Sequence, residues 1–383
     1  MINILYLHAG AELYGADIIL YNIVKNLDKS KFTPYVILPN DGPLVEKIRS
    51  AGVYCEVVNY PILRRKYFNP KGIIYYISEY TSKSKEIIKK LNGIKIDIIH
   101  NNTAAVLEGI YLKKKLKAKL IIHCHEIIIN PKFMNTFYAK VFSRKADLTM
   151  CVSNAVKNHL ETAADFKGKI IVCYNGIDND IYNPNYDVKR LRDELNIPQE
   201  ALVVGMLGRV NAWKGQGDFL QAIETVGHKD SVYYVLIGGV FAGEEWRIDE
   251  LKKKVRNSPM RDDIRLVDFR PDSYRLHNVL DIFVLPSTSP DPLPTVVLEA
   301  MASGNPVVGY RHGGVCEMCV DGKTGLLARV CEPDDLARKI ERLIEDKGLR
   351  ESMGSAALER QNKEFSLEAQ MRNLSEIYER IFE

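Results

Sequence analysis

Short apolar runs and helical patterns alternate along this chain, and the alternation starts afresh halfway along it. Helical patterns such as 17–27 and 44–51 separate apolar runs that have the length of buried strands. In the first half these runs are 2–7, 33–38, 53–58, 96–100, 120–125, 148–152 and 170–173. Strands that alternate with helices predict a parallel sheet covered by helices on both faces.

Two turn-forming segments interrupt the pattern, Asn-Gly-Ile-Asp at 175–178 and Asn-Pro-Asn at 183–185. A short helix is predicted at 188–195, and the second series of strands is 202–207, 233–237, 264–267, 282–285 and 306–308. A chain of 383 residues exceeds the size at which one core usually stops growing. We therefore expect two doubly wound α/β domains, at 1–185 and 186–365.

The last segment, 366–383, has the pattern of an amphipathic helix. Its apolar residues recur at spacings of three and four, at Leu367, Met371, Leu374, Tyr378 and Ile381. Such a stripe must pack on a neighbouring element.

Charge is distributed unevenly along the chain, whose formal net charge is +4. Residues 1–185 hold 26 Lys and Arg against 16 Asp and Glu, which leaves 27 basic and 33 acidic residues in the remainder. Basic clusters lie at 64–68 and 113–119. They indicate either a solvated surface or attraction to an anionic membrane leaflet. They lack the interleaved aromatic residues of a nucleic-acid groove, so no nucleic-acid partner is expected.

Neither membrane-spanning runs nor a disulfide framework are expected. No run of 18 or more apolar residues occurs, and the first seven residues have the pattern of a strand rather than of a signal peptide. The seven cysteines are scattered, and the pair Cys316 and Cys319 has no second pair to complete a zinc site. These features predict a cytoplasmic protein, with peripheral attachment to the inner face of the membrane as an option.

The first strand of the second series runs into a glycine-punctuated loop, 208–217, that carries Arg209 and Lys214. Arginine offers a fork of donors to a diphosphate, and lysine offers a mobile point charge. The start of the following helix adds a positive end. The loop therefore predicts an anion site, with surface ion pairs as the alternative.

A second candidate element follows the strand at 282–285. Asp291 precedes a helix that is expected to begin near Pro294, and Glu299 lies within that helix in an otherwise apolar run. Carboxylates suit sugar hydroxyls, and the free amides near Thr295 and Val296 suit phosphate. A buried carboxylate at Glu299 needs a partner.

The ordered set of these motifs resembles the retaining glycosyltransferase family 4, also called glycosyl transferases group 1, which has the two-domain GT-B fold. The family's Glu-x7-Glu motif is matched by Asp291 and Glu299, with Asp in place of the first Glu. The resemblance covers nearly the whole chain. Its other motifs lie at 146–153, 175–178, 209–215, 281–287, 313–317 and 321–327.

The resemblance implies two Rossmann-like domains that face each other across a cleft, the first for the acceptor and the second for a nucleotide-sugar donor. It implies that the last helix returns to the first domain. It further implies that Arg209 and Lys214 bind the donor diphosphate, that Glu299 holds the ribose and that Asp291 contacts the donor sugar. Pro294, Thr295 and Val296 complete the donor site.

In the first domain, the segment 14–17 is similar to the family's Gly-Gly-Ala-Glu loop, and only its second glycine is kept. The resemblance places Gly15 near donor phosphate and acceptor, with Tyr14 and Ala16 on the acceptor side. It places His125 at the donor sugar.

The implied reaction is metal-independent transfer of a hexose-type sugar, with no cofactor, from a UDP-sugar or GDP-sugar to a saccharide acceptor. A lipid-linked acceptor in bacterial surface polysaccharide synthesis is expected. His123, Cys124, His125 and Glu126, and the Asp-Asn-Asp segment at 178–180, superficially resemble metal-binding sequences. Neither has spaced partners that would complete a metal site. The alternatives are a nucleotide-sugar 2-epimerase, a phosphorylase and a non-catalytic nucleotide-sugar-binding scaffold.

Overall fold

In the computed structural model, which describes residues 1–241, 243–270 and 272–383, the chain forms two compact units. Unit 1 comprises Met1–Asn175 and Leu367–Glu383, and unit 2 comprises Gly176–Ser366. Unit 2 thus begins about ten residues before the division expected at 185. The segment after Asn175 belongs to unit 2 because the Ile177 amide donates to the Phe365 carbonyl at 3.1 Å.

Unit 1 has a parallel sheet of seven strands, in the order β3-β2-β1-β4-β5-β6-β7. The strands are β1 (Ile2–Leu7), β2 (Phe32–Leu38), β3 (Tyr54–Val57), β4 (Ile98–Asn101), β5 (Lys119–Cys124), β6 (Leu148–Cys151) and β7 (Ile170–Val172). The helices are α1 (Gly15–Asn26), α2 (Pro43–Ser50), α3 (Pro70–Lys90), α4 (Glu108–Leu116), α5 (Lys132–Lys145) and α6 (Asn154–Ala163). The strand order reverses between β1 and β4, and ligands of doubly wound sheets bind at such a point.

Unit 2 repeats the architecture with six parallel strands, in the order β10-β9-β8-β11-β12-β13. The strands are β8 (Leu202–Leu207), β9 (Val232–Ile237), β10 (Ile264–Val267), β11 (Ile282–Leu285), β12 (Val307–Tyr310) and β13 (Gly325–Ala328). The helices are α7 (Lys189–Glu194), α8 (Gln216–Val226), α9 (Trp246–Asn257), α10 (Ser273–Leu276), α11 (Thr295–Ala302), α12 (Val315–Met318), α13 (Pro333–Glu345) and α14 (Lys347–Arg360). Here the order reverses between β8 and β11.

The predicted doubly wound fold is confirmed in both units, and most predicted strands agree with the structure within two residues at either end. Strand β13 and the 21-residue helix α3 were not predicted. Strand β13 has the sequence Gly-Leu-Leu-Ala, which contains no β-branched or aromatic residue. Helix α3 has three buried side chains, so its sequence carries little helical periodicity of core residues.

The final helix, α15 (Leu367–Arg380), packs against the sheet of unit 1. Leu374, Tyr378 and Ile381 belong to the same core cluster as β1 and α1. The Tyr378 hydroxyl lies 2.9 Å from the Tyr6 hydroxyl and 2.7 Å from Nδ1 of His100. The apolar stripe of the sequence therefore faces the core of unit 1.

Candidate nucleotide-sugar site

The loops that follow β8 and β11 leave the sheet of unit 2 side by side, because these two strands are hydrogen-bonded neighbours. The first loop carries Arg209 and Lys214, and the second carries Asp291 and leads to α11. The fold thus brings the two candidate segments to the reversal point of the sheet.

The loop before α8 is held in one conformation by hydrogen bonds. The Asn211 carboxamide oxygen accepts from the Trp213 amide at 3.0 Å and from the Lys214 amide at 2.8 Å. The Trp213 carbonyl accepts from the Thr288 amide at 2.7 Å, which ties the loop to the exit of β11. The role of Asn211 was not predicted from the sequence. Asparagine side chains that accept hydrogen bonds from the amides two and three residues later are, however, common in turns.

Gly215 ends this loop with φ of +82°, a conformation that favours glycine. A Cβ atom at this position would lie 1.9 Å from the Pro286 carbonyl oxygen. The chain therefore needs glycine here to bring Lys214 against the loop that follows β11.

Lys214 forms an ion pair with Asp291, with 2.8 Å between Nζ and Oδ1. The two side chains are only 13% and 5% exposed. The second carboxylate oxygen of Asp291, Oδ2, is buried and has no hydrogen-bond partner. An unpaired buried acceptor costs free energy, so this oxygen is suited to a ligand that donates a hydrogen bond.

Backbone contacts fix Asp291 in place. Its carbonyl accepts from the Gly314 amide at 2.8 Å, and Gly313 adopts φ of +60° where a Cβ would lie 2.5 Å from the same carbonyl oxygen. Two adjacent glycines are therefore required by the close approach of two loops.

Helix α11 begins at Thr295, directly after Pro294, and no side chain caps its first amides. Thr295 and Val296 are half-buried. An uncapped helix start presents amide donors and a partial positive charge, both of which favour a phosphate.

Glu299 lies one turn further along α11, and its Oε2 is 3.1 Å from Nε2 of His277. His277 is fully buried, and its carbonyl accepts from the Asn305 carboxamide at 2.7 Å. The expectation that Glu299 needs a partner is confirmed. The sequence around His277 did not indicate that this residue would be the partner.

Arg209 leaves the same loop as Lys214, and its guanidinium lies 3.6 Å from the centre of the Phe241 ring. The Arg209 carbonyl accepts from the Gln216 carboxamide at 3.0 Å. The cation is thus placed at the carboxyl end of β8 beside an aromatic face.

In unit 1, the loop after β1 is fixed by a buried pair, His8 and Asp17, with 2.8 Å between Nε2 and Oδ1. The other Asp17 oxygen accepts from the Tyr14 amide at 2.9 Å. Tyr14 is exposed, Gly15 is the first residue of α1, and Ala16 is half-buried. Asp17 therefore organises the segment that the resemblance assigns to the acceptor side.

His125 follows β5 directly, and burial lowers its pKa to about 3, with smaller contributions from His8 and His100. It is therefore an uncharged imidazole at neutral pH, and its Nε2 is buried without a partner. The rings of His123 and His125 lie 4.0 Å apart, as strand alternation predicts for one face.

Glu126 anchors the loop that contains His125. Its carboxylate accepts from the Ala104 amide at 3.2 Å, from the His125 amide at 3.0 Å and from the Thr103 hydroxyl. Burial raises its pKa. Glu126 thus has the contacts of a structural residue rather than those of a metal ligand.

Across the described ranges, no group of three or more His, Cys, Asp or Glu side chains is arranged to hold a metal ion. Cys316 is exposed while Cys319 is buried. Of the helices that the structure describes, none combines the length and apolar character that crossing a membrane requires.

Comparisons with known proteins match both units. The family model for glycosyl transferases group 1 matches residues 187–360, and the model for glycosyltransferase family 4 matches residues 14–181. An uncharacterized glycosyltransferase of Methanocaldococcus jannaschii is 28% identical over 81% of this chain and 82% of its own length. A D-inositol 3-phosphate glycosyltransferase of Corynebacterium aurimucosum is 31% identical over 57% of this chain, which spans about half of that relative.

Among solved structures, the Anabaena protein HepE in complex with UDP superposes with a TM-score of 0.84. It is 24% identical, and the match covers 99% of this chain and 100% of HepE. At this level of identity the likeness concerns the fold.

Proposed function

Because this chain belongs to the glycosyltransferases of group 1 and family 4, we propose that it transfers a hexose-type sugar from a nucleoside diphosphate sugar to a saccharide acceptor. In this proposal the donor is a UDP-sugar or GDP-sugar held by unit 2, the anomeric configuration is retained, and no metal takes part. HepE has been solved with UDP and with UDP-glucose, which favours a donor of this class.

One observation carries the donor assignment. The buried pair of Lys214 and Asp291 leaves one carboxylate oxygen without a partner, four residues before the uncapped start of α11. A lysine and free amides suit a diphosphate, and an unpaired carboxylate oxygen suits a sugar hydroxyl. A ligand that combines the two groups is a nucleoside diphosphate sugar.

The remaining donor contacts are proposed for the loop after β8 and for helix α11. Arg209, Lys214 and the amides of Thr295 and Val296 bind the two phosphates, with Pro294 fixing the start of the helix. Glu299, held by His277, accepts hydrogen bonds from the ribose hydroxyls. Asp291 accepts a hydrogen bond from the transferred sugar.

In the reaction, the bond between the anomeric carbon and the β-phosphate oxygen breaks, and its electron pair stays on the phosphate. The acceptor hydroxyl oxygen forms the new bond on the same face, and its proton passes to the departing phosphate. Arg209, Lys214 and the helix amides stabilise the charge that develops on the leaving group. His125 takes part as a neutral hydrogen-bonding group because its pKa is about 3.

The acceptor is assigned to unit 1, with Gly15 near donor phosphate and acceptor and with Tyr14 and Ala16 beside the acceptor. A lipid-linked saccharide at the inner face of the cell membrane, in surface polysaccharide synthesis, agrees with the excess of basic residues in this half. In this proposal the protein acts in the cytoplasm.

A donor screen tests the proposal. Thermal shift and release of free nucleotide are measured with UDP-, GDP-, ADP- and dTDP-sugars in the presence of EDTA. We expect one nucleotide to stabilise the protein, and slow hydrolysis of its sugar without metal. Epimerisation without nucleotide release would instead indicate a 2-epimerase, and binding without any turnover would indicate a scaffold. A crystal structure with UDP bound far from Lys214 and Glu299 would refute the site.

A further inference from the structure

Unit 1 exposes a group of large apolar side chains on two neighbouring elements. On α3 they are Ile73, Ile74, Tyr75 and Ile77, and around the start of α5 they are Ile129, Phe133 and Phe137. Their exposed fractions range from 39% to 70%. Soluble surfaces rarely carry so many large apolar groups together, and such surfaces usually mark an interaction site.

The turn before α3 contacts both α3 and the start of α5. The rings of Phe68 and Phe133 meet edge to face, with 5.9 Å between their centres. The Arg65 guanidinium donates to the Asn130 carbonyl at 3.1 Å. Tyr67, in the 3₁₀ turn before α3, stacks against Tyr75. This turn thus links the first part of α3 to the start of α5, and we call the seven exposed apolar side chains on these elements the α3–α5 surface.

Basic residues outnumber acidic ones around this surface. The segments 64–78 and 127–146 contain eight basic residues, and the acidic residues next to them are Glu79, Glu126 and Asp147, which directly flank these segments. All eight basic side chains are exposed, namely Arg64, Arg65, Lys66, Lys71, Lys132, Lys140, Arg144 and Lys145. On α5, Phe133, Phe137, Lys140 and Arg144 follow one another at spacings of three and four, so they share a face of the helix.

The second basic cluster of the sequence, at 113–119, differs from this surface. Lys113 forms an ion pair with Asp147 at 2.8 Å and donates to the Lys145 carbonyl. No large apolar side chain of α4 is exposed. The two basic clusters were equivalent in the sequence, but they differ in the structure. Of the two, only the cluster at 64–68 lies beside exposed apolar groups.

We propose that the α3–α5 surface docks onto an anionic phospholipid bilayer, with its isoleucine and phenylalanine side chains inserted at the headgroup boundary and its cations against lipid phosphates. Charge complementarity selects this partner, because an excess of exposed basic residues matches an anionic surface. Exposed aliphatic and aromatic side chains beside cations are the composition of membrane-surface helices.

The position of the surface relates it to the candidate site in unit 1. Residues 126–131 connect His125 to α5, and the loop is held by His159, whose Nε2 lies 2.9 Å from the Ile128 carbonyl oxygen. The biological role of this docking rests on the proposed function, because a docked unit 1 would receive a lipid-linked acceptor from the bilayer. The binding itself is measurable without any acceptor.

The test is co-sedimentation of the full chain with vesicles of phosphatidylglycerol and phosphatidylcholine, and with vesicles of phosphatidylcholine alone. We expect binding to the anionic vesicles, with a part that persists at about 1 M salt, where charge attraction is screened. Ile74→Ser/Ile77→Ser/Phe133→Ser should remove the salt-resistant part and lower partitioning by at least ~10-fold. Arg64→Glu/Lys71→Glu should lower partitioning onto anionic vesicles at low salt by at least ~30-fold.

Two control variants are matched in chemistry. Phe269→Ser removes an aromatic ring from unit 2 that is 71% exposed, against 60% for Phe133. Lys114→Glu/Lys115→Glu reverses two exposed charges in the other basic cluster. Both should retain most of the binding. UDP affinity, measured on every variant, reports unit 2 separately, so loss of docking and failure of the donor site are distinguishable.

Three results would overturn the proposal. The first is absence of binding to anionic vesicles, and the second is binding that the triple apolar variant leaves unchanged. The third is self-association without vesicle binding, measured by sedimentation velocity and removed by the same variant. That outcome would assign the surface to a second copy of the chain.

Discussion

Replacing Lys214 by methionine separates the contribution of this side chain to folding from its contribution to donor binding. Its ammonium is 2.8 Å from Asp291, and both side chains are nearly buried. Methionine keeps most of the side-chain volume but leaves the carboxylate buried without a partner. Breaking a buried pair in this way costs about 3–5 kcal/mol.

The double variant Lys214→Met/Asp291→Asn removes both charges together. Replacing a whole buried pair by neutral groups is often nearly neutral for stability, so most of the loss should be recovered. Donor turnover should not recover, because the diphosphate has lost its cation. We expect kcat/KM to fall on the order of 10²–10³-fold in Lys214→Met, as for loss of one transition-state donor. It should fall at least as far in the double variant, which also lacks the carboxylate proposed to contact the sugar.

Urea unfolding followed by tryptophan fluorescence measures the stability of unit 2, since both tryptophans, Trp213 and Trp246, lie there. Isothermal titration with UDP measures donor binding. Lys347→Met is the matched control, because Lys347 pairs with Glu351 at the surface of the same unit and its side chain is 77% exposed. Its cost should stay below about 1 kcal/mol.

Two outcomes would refute this reasoning. If Lys214→Met binds UDP and turns over donor as the wild type does, Lys214 does not contact the diphosphate. If the double variant is no more stable than the single one, the buried pair does not dominate the stability of this site.

Three further predictions concern other residues. Gly215→Ala should destabilise unit 2 and weaken UDP binding, because its Cβ would lie 1.9 Å from the Pro286 carbonyl oxygen, while Gly217→Ala, with open space around its Cβ, should have little effect in either assay. Glu299→Ala should weaken UDP binding by about 10–100-fold and leave inorganic pyrophosphate binding unchanged in competition titrations, since only the nucleotide carries a ribose. Burial raises the pKa of Glu108 to about 8 from 4.5, so the folded protein keeps a proton that the unfolded chain loses between these values. Stability should therefore fall as pH rises from about 4.5 to 8, by at most ~1.4 kcal/mol per unit, and Glu108→Gln should flatten this dependence in hydrogen-exchange measurements of α4.

Each of these predictions has a result that contradicts it. Equal effects of alanine at Gly215 and Gly217 would remove the steric argument. A parallel loss of pyrophosphate binding in Glu299→Ala would place this carboxylate at the phosphates. An unchanged pH profile in Glu108→Gln would show that another group binds the proton.

Local patterns in the sequence determined the two sheets and the loops that carry the candidate chemistry. The strands Ile2–Leu7 and Leu202–Leu207 agree with the predicted runs residue by residue, because a strand buried on both faces is a continuous apolar run bounded by turns. Arg209, Lys214 and Asp291 were recognised because they follow such strands. In a parallel sheet the carboxyl ends of all strands lie at the same edge, so the loops that follow the strands and carry these residues lie there too.

Only the tertiary structure decided which side chains meet. The partners Lys214 and Asp291 are 77 residues apart, and His277 and Glu299 are 22 apart. The same holds for the α3–α5 surface, whose two segments meet through Phe68 and Phe133. Contacts between distant segments depend on the order of strands and on which helix face is left uncovered. Neither property is encoded in the local periodicity of the chain, and both arise when the sheets assemble.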